Sequence, residues 1–464
     1  MELNAKHIFF LGIGGIGMSA LAMYFHRKGI KVEGYDRNAT ALTLRMEQEG
    51  ININYEDSAD GISDEIDLVV ITPAIPGDSN LLRYFADRKL TMLKRSELLG
   101  IVAADFKIIA VAGTHGKTST SALIAHILKY SGRDITAFVG GILAGYDTNF
   151  FMGTDEWMVV EADEFDRSFL KLSPTFTVLN SLDADHLDIY DSIDAMRDTY
   201  GEFLKKTKEG GVIFIKEDLL SKLSDEVVSC IKSRYELIRF GFGDIAEANI
   251  EIYSTREDFW CFGIKMADGR IIDNLRSVMP GYHSILNAAV AVLVADKLGV
   301  SEGFIREAMD TFKGIKRRFE KRYDDGSTVV IDDYAHHPEE IRSFYEGLKI
   351  TYPTKRLLVI FQPHLYSRTR DFAGDFAKTL DMFDEVILTD IYPARELPIE
   401  GVSSGTITDM MENESVRIKS VEDILGEFVH RDLNDTVIST VGAGDIGLLP
   451  DKIISILQRK NAVV

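Results

Sequence analysis

Lys117 and Thr118 close a run whose residue types suit a phosphate chain. Gly113-Thr114-His115-Gly116-Lys117-Thr118-Ser119 follows the apolar stretch Ile108 to Ala112 and precedes apolar residues at helical spacing, Leu123, Ile127 and Leu128. Strand, glycine turn and helix in that order make a phosphate-binding loop. The glycines let backbone N–H groups approach an anion, and the helix start adds further N–H groups and the positive end of its dipole. Lys117 supplies a point charge for a terminal phosphate and the Thr118 hydroxyl a ligand for Mg²⁺. The loop is shorter than G-x-x-x-x-G-K-[ST], because Val111 stands where the first glycine would be.

Acidic groups and a histidine recur at nearby strand ends. Trp157 to Val160 runs into Glu161-Ala-Asp163-Glu164, and Phe176 to Asn180 is followed by Asp183-Ala-Asp185-His186-Leu-Asp188. Beside a phosphate loop these suit metal ions that bridge nucleotide phosphates, with Glu161 on one Mg²⁺ and His186 on a second. The alternative is a solvated acidic rim. Asn287, in the first turns of an apolar helix after Gly281, suits either an adenine contact or a hydrogen bond within the fold.

Two further segments flank this one. At the N-terminus, Gly12-Ile-Gly14-Gly15-Ile-Gly17 fits G-x-G-x-x-G between a strand (Ile8 to Leu11) and a helix from Ile16, and Asp36 closes a second strand (Lys31 to Tyr35) about 20 residues later. A diphosphate could sit on that helix start with Asp36 near a ribose; a nicotinamide, a flavin and a UDP-sugar satisfy the pattern equally. The strand Asp67 to Ile71 ends in Thr72-Pro-Ala-Ile-Pro76, a ligand loop or a bland one. After Arg317-Arg318, four apolar strands each end in polar residues or a glycine turn: Asp332-Asp333-Tyr334-Ala-His336-His337-Pro338, Gln362-Pro-His364-Leu365-Tyr366-Ser367-Arg368, Asp390-Ile-Tyr392-Pro-Ala-Arg395-Glu396 and Gly442-Ala-Gly444-Asp445. Polar clusters at the C-terminal ends of four strands describe a third parallel sheet with one functional edge.

Length and composition bound these readings. A chain of 464 residues is expected to form two or three domains. A net charge of −21 argues against nucleic acid or an anionic membrane as partner. Two cysteines, Cys230 and Cys261, are too few for a disulfide framework or a zinc site and fit a reducing cytoplasm. Residues 8 to 25 carry no charge, but their four glycines suit a strand turning into a helix better than a membrane span.

The glycine-rich first turn, the Gly-Thr-His-Gly-Lys-Thr loop, and the runs Asp-Asp-Tyr-Ala-His-His-Pro and Gln-Pro-His-Leu-Tyr-Ser-Arg-Thr together resemble the Mur ligase family from end to end. The resemblance implies an α/β chain of three domains. These are a Rossmann-like UDP-sugar domain (1–104), a P-loop ATPase-like central domain with a mostly parallel sheet (105–317) and a Rossmann-like domain that brings the amino acid (318–464). It implies an amide-forming ligase in which ATP phosphorylates the lactyl carboxylate of UDP-N-acetylmuramate and the amine of L-alanine attacks the acyl phosphate. Gly12, Gly14, Gly15, Gly17, Asp36 and Thr72 would then serve the UDP-sugar. Residues Gly113 to Ser119 with Asn287, Arg318 and Asp333 would serve ATP, and Thr118, Glu161 and His186 one or two Mg²⁺. Tyr334, His336 and Arg368 would line the amino-acid pocket, and Lys117, His186, Arg318 and His336 would be catalytic.

Leu365 departs from the family pattern, in which many members carry a second Arg after the equivalent His, and this places more weight on Arg368. Some related ligases carry a carbamylated Lys near the metals; no Lys here is assigned that role. The partners implied are small molecules only, and the chain is expected to act in the cytoplasm as a monomer or weak homodimer. The competing expectations are a tripeptide-joining recycling ligase of the same family and an NAD-dependent oxidoreductase resting on Gly12 to Gly17 and Asp36. Phe319 and Tyr334 favour the alanine reaction over the tripeptide one, and the oxidoreductase leaves the second phosphate loop without a purpose.

Overall fold

The structure is a computed structural model that describes residues 5–183, 190, 192–256, 259–394 and 396–461. Its strands assemble into three sheets. The first contains β1 (His7–Leu11), β2 (Lys31–Tyr35), β3 (Asn52–Asn54), β4 (Leu68–Ile71) and β5 (Thr91–Lys94) in the order β3-β2-β1-β4-β5, every pair parallel. The chain reverses direction across the sheet between β1 and β4, so the loops after these two strands open a crevice at the carboxyl edge. Gly12 and Thr72 meet there: a Cβ on Gly12 would lie 2.8 Å from Thr72 Cγ2, and the Gly12 φ of 86° already favours glycine. The uncharged stretch from Ile8 is thus strand, glycine turn and helix (Ile16–Arg27), and among the described residues no helix is long and apolar enough to cross a membrane.

The second sheet contains β6 (Lys107–Ala112), β7 (Thr136–Leu143), β8 (Thr148–Phe151), β9 (Trp157–Glu161), β10 (Phe176–Leu179), β11 (Val212–Lys216), β12 (Glu236–Gly241), β13 (Ala248–Thr255), β14 (Trp260–Met266) and β15 (Ile271–Ser277). Their order is β15-β14-β13-β12-β11-β10-β6-β9-β7-β8, so β6 lies inside the sheet between β10 and β9, parallel to both. Parallel strands are covered on both faces, which is why β6, β9 and β10 are continuous apolar runs. The antiparallel β7–β8 pair has no counterpart in the sequence reading.

The third sheet contains β16 (Glu320–Asp324), β17 (Val329–Asp333), β18 (Arg356–Phe361), β19 (Glu385–Leu388), β20 (Val416–Ile418) and β21 (Thr436–Val441), ordered β16-β17-β21-β18-β19-β20. The four strands expected from apolar runs form its parallel centre, and β16 joins antiparallel at one edge.

The chain divides into two compact units: Met1–Glu251, Phe262–Leu275 and Leu286–Phe312 form the first, and Ile252–Cys261, Arg276–Ile285 and Lys313–Val464 the second. Within the first unit the first two sheets share one core. Tyr24, on the helix after the glycine turn, packs its ring 5.9 Å from that of Phe138 in β7 and 6.3 Å from that of Phe150 in β8. Asn149 Nδ2 donates to the Ile16 carbonyl over 2.6 Å, fastening the first turn of that helix to β8.

Candidate active site

The place of β6 between β9 and β10 explains how the phosphate loop acquires its neighbours. Gly113 (φ 136°) and Gly116 (φ 79°) both take the left-handed backbone that glycine tolerates, and the helix Lys117–Tyr130 starts directly after them. The end of β9 brings Glu161 to the loop: Thr118 Oγ1 donates to Glu161 Oε2 over 2.9 Å, and the Gly140 N–H donates to the same oxygen over 3.0 Å. The end of β10 supplies the other wall. Ser181 Oγ accepts from the His115 N–H at 2.7 Å and from Thr114 Oγ1 at 2.9 Å, and the Asp183 N–H donates to Thr114 Oγ1. Ser119 is buried in the first turn of the helix.

Lys117 is held by protein groups. Its Nζ donates to the Gly113 carbonyl at 2.7 Å and pairs with Glu164 Oε1 at 2.8 Å; the Glu164 side chain is only 1 % exposed. Burial acts to lower the Lys117 pKa, but the charges of Glu164 and then Glu161 outweigh it and hold the group above the ordinary lysine range. Lys117 is therefore a permanent cation at the loop. Tyr190 OH donates to the Glu164 carbonyl over 2.7 Å and fixes the backbone that carries this counter-ion. In the sequence Glu164 is one of a run of carboxylates; its specific pairing with Lys117 emerges only from the sheet order.

Asn287, expected at an adenine or within the fold, lies against the loop itself: a Cβ on Gly116 would collide with Asn287 Oδ1, which also accepts from Asn180 Nδ2 at 3.4 Å. His186, the expected second metal ligand, lies outside the described residues. Among those described, no group of three or more His, Cys, Asp or Glu side chains could hold a metal ion. The Thr118–Glu161 pair nevertheless fits Mg²⁺, which keeps several waters and takes one or two protein oxygens beside substrate phosphates rather than a protein cage.

At the first sheet's crevice the glycine turn spends its N–H groups internally. Gly12 and Ile13 donate to the Tyr35 carbonyl, Gly15 to the Gly12 carbonyl, and Gly14 to Asp36 Oδ2 at 2.8 Å. Asp36 thus braces the turn. Beyond it, a cavity of about 430 Å³ lies among Thr72, Ile75, Leu82, Lys94 and Phe165.

In the second unit, the residues after β17 and β18 gather as their strand ends require. Asp333 accepts from the Phe319 N–H at 2.7 Å and the Ala335 N–H at 2.8 Å; burial pushes its carboxyl up to about 6, opposed chiefly by Arg318. These bonds close the turn through Arg317 (φ 60°) and Phe319 (φ 48°), two non-glycine residues in left-handed backbone. Arg317 pairs with buried Asp332 and donates to the Gly442 and Gly444 carbonyls, and both it and Arg318 lie over the Tyr334 ring, at 5.1 and 5.3 Å. The rings of Tyr334 and His336 lie 5.5 Å apart and those of His336 and His364 5.9 Å apart. His336 Nδ1 stands 2.9 Å from the Tyr334 carbonyl, which can only accept, so Nδ1 carries the proton and Nε2 the lone pair. Burial pushes the imidazole below its usual pKa; the charge of Glu340 opposes this, and those of Arg368 and Arg318 reinforce it. Leu365, flagged for its departure from the family pattern, adopts φ 70° and ψ 136°, a strained backbone anchored by its bond to the Tyr392 carbonyl.

Three family models match successive parts of the chain: Mur ligase family, catalytic domain (residues 7–107), Mur ligase middle domain (111–295) and Mur ligase, glutamate ligase domain (317–444). A UDP-N-acetylmuramate--L-alanine ligase of Christiangramia forsetii is 42% identical over 459 residues, covering 97% of this chain and 98% of its own. The enzyme of that name from Porphyromonas gingivalis is 38% identical over 469 residues, covering 98% and 99%. Among solved structures, the UDP-N-acetylmuramate-alanine ligase of Thermotoga maritima superimposes with a TM-score of 0.82 at 29% identity, covering 98% of this chain and 100% of that one.

Proposed function

The chain belongs to the Mur ligase family, and we propose from that premise that it joins L-alanine to the lactyl carboxylate of UDP-N-acetylmuramate at the expense of ATP, releasing ADP and phosphate. The observation that carries this reading is the likeness, across nearly the whole chain, to ligases of that name. It favours alanine over the tripeptide alternative and leaves the oxidoreductase without support. The domain roles follow the family expectation: 1–104 for the UDP-sugar, 105–317 for ATP and 318–464 for the amino acid. The cytoplasm is the proposed site of action.

In this mechanism Lys117 neutralises charge on the γ-phosphoryl group as it passes to the lactyl carboxylate, and the loop N–H groups orient the phosphate chain. Mg²⁺, held by Thr118 and Glu161 with His186 proposed for a second ion, would supply further charge neutralisation at the phosphates. Arg318 serves the phosphoryl charge with its planar, delocalised guanidinium. Asn287 and Asp333 support the nucleotide by bracing the loop and the 317–319 turn. Arg368 grips the alanine carboxylate, Tyr334 walls the pocket, and the neutral His336 accepts at Nε2 the proton that the alanine ammonium must lose before its nitrogen attacks the acyl phosphate. The test is ADP release with ATP, Mg²⁺ and UDP-N-acetylmuramate, with L-alanine, tripeptide or no amine added. Release that requires L-alanine is expected; release with tripeptide alone, or with no amine, overturns the reading.

A further inference from the structure

The histidine proposed to take the alanine proton stands among cations. The rings of Tyr334 and His364 flank His336, while the charges of Arg368, from the helix Tyr366–Leu380, and of Arg318, from the turn before β16, act against a proton on its imidazole. Burial acts in the same direction and is the larger effect. A neutral Nε2 in such a place accepts a proton poorly, because the imidazolium that forms is both desolvated and repelled. The amine step therefore needs an anion beside this ring.

Glu340 supplies it. Pro338 opens the helix Pro338–Thr351, and Glu340 lies in its first turn, four residues after His336. Its Oε2 accepts the His336 backbone N–H at 3.0 Å and lies 3.4 Å from His336 Nδ1. The glutamate side chain is 19% exposed and the histidine 23%, so water screens the pair only in part. Its charge favours the imidazolium, against Arg368 and Arg318. Acidic residues in the first turn of a helix ordinarily serve as caps or as partners of the helix dipole. Glu339, in the same turn, suits that role: it is 62% exposed and stands 3.7 Å from Arg342 Nε. Glu340 differs in lying on the histidine.

We propose that Glu340 is a positioning residue for the amine step: it anchors the His336 backbone and sets a carboxylate beside Nδ1, so that Nε2 remains the basic nitrogen and the imidazolium finds its counter-ion in place. The inference rests on the function proposed above, which makes His336 the proton acceptor. The alanine ammonium gives one proton to Nε2, and the freed lone pair forms the C–N bond to the acyl carbon. The C–O bond to phosphate breaks with its electron pair, and the second proton passes from nitrogen to the departing phosphate. Glu340 takes no proton; like the carboxylate of a catalytic triad, it orients the imidazole and stabilises its charged form. The alanine carboxylate, on Arg368, offsets one of the two opposing charges.

The experiment measures kcat/KM for alanine from about pH 4.5 to 8, with ATP, Mg²⁺ and UDP-N-acetylmuramate saturating, for the parent, Glu340→Gln, Glu340→Asp and Glu339→Gln. Glu340→Gln keeps an acceptor for the His336 N–H and removes the charge. Its acid limb should move to lower pH by about one unit, the lower end of what a neighbouring opposite charge contributes, and its plateau should fall roughly 10-fold. Hydroxylamine, whose nitrogen is already neutral at neutral pH, should trap the acyl phosphate in this variant at close to the parent rate. Glu339→Gln, which loses the same charge from the same helix turn, should keep the parent profile. A Glu340→Gln limb that does not move to lower pH would make Glu340 a helix cap and overturn the inference, as would an equal shift in Glu339→Gln or a hydroxamate yield that falls in step with ligation. If Glu340→Gln does not fold, Glu340→Asp decides: its charge sits farther from the ring, so its limb should move in the same direction by less, and an unmoved limb overturns the inference. A parent without alanine-dependent turnover overturns the proposed function and this inference with it, whereas a working parent whose variants keep its limb overturns this inference alone.

Discussion

Replacing Glu164 by Gln probes how the protein holds a charged lysine at its phosphate loop. The substitution preserves shape and removes one charge 2.8 Å from Lys117 Nζ, at a position only 1% exposed. In the ligand-free parent the pair is charge-assisted, worth ~1.5–3 kcal/mol. The lower half applies, because Lys117 retains the Gly113 carbonyl at 2.7 Å and its side chain is 15% exposed. The ligand-free variant should therefore lose ~1.5–2 kcal/mol of local stability. A triphosphate restores a negative partner to Lys117 in parent and variant alike, so the bound states differ less than the free ones. By linkage, a non-hydrolysable ATP analogue should then bind the variant about 10- to 30-fold more tightly, and should raise its melting temperature more than it raises the parent's. Titration calorimetry and thermal denaturation with and without the analogue read both effects. Analogue affinity that is unchanged or weaker, together with an unchanged ligand-free melting temperature, would refute the idea that Glu164 competes with phosphate for Lys117.

Glu161→Ala removes the oxygen that accepts from Thr118, so its loss of rate should be partly rescued by raised Mg²⁺; a rate that no Mg²⁺ concentration changes would remove Glu161 from the metal. Arg368→Lys should raise KM for alanine roughly 10- to 150-fold, because a point charge replaces a fork on the carboxylate. Trapping the acyl phosphate with hydroxylamine should still proceed near the parent rate; a hydroxamate yield that falls in step with ligation would place Arg368 in the phosphate chemistry. Asp333 has its folded pKa raised from 3.8 to about 6 by burial, so the fold holds that proton more tightly than the unfolded chain does. Its contribution is full below the unfolded value and is lost as pH rises through about 6. Asp333→Asn cannot titrate, so the variant-minus-parent difference in stability should increase by on the order of 2–3 kcal/mol from about pH 4 to 6.5, and a flat difference would refute the assignment.

The strands that carry the candidate site were legible because each is a parallel strand covered on both faces, and such a strand leaves an unbroken apolar run with its polar groups displaced to one end. Ile8 to Leu11, Ile108 to Ala112 and Leu357 to Phe361 differ from β1, β6 and β18 by a single terminal residue. The edge strands β8 and β16 were not legible, since they pair antiparallel on register that no local run encodes. Nor was the crossing of strand order that puts β6 between β9 and β10, and with it the meeting of Lys117 with Glu164 and of Arg95 with Asp163 across 47 and 68 residues of chain.

These missing contacts share one chemistry. A motif names the groups that receive a phosphate but not what those groups do without one, and here carboxylates occupy the places proposed for substrate anions: Glu164 on the loop lysine and Asp36 on the N–H of Gly14. In a chain of net charge −21 such stand-ins are plentiful, and each keeps a partly buried donor satisfied at a cost recovered when the substrate displaces it. These carboxylates thus keep the ligand sites ordered before their ligands arrive, and substrate affinity at each site is set by a difference between two anions rather than by one contact.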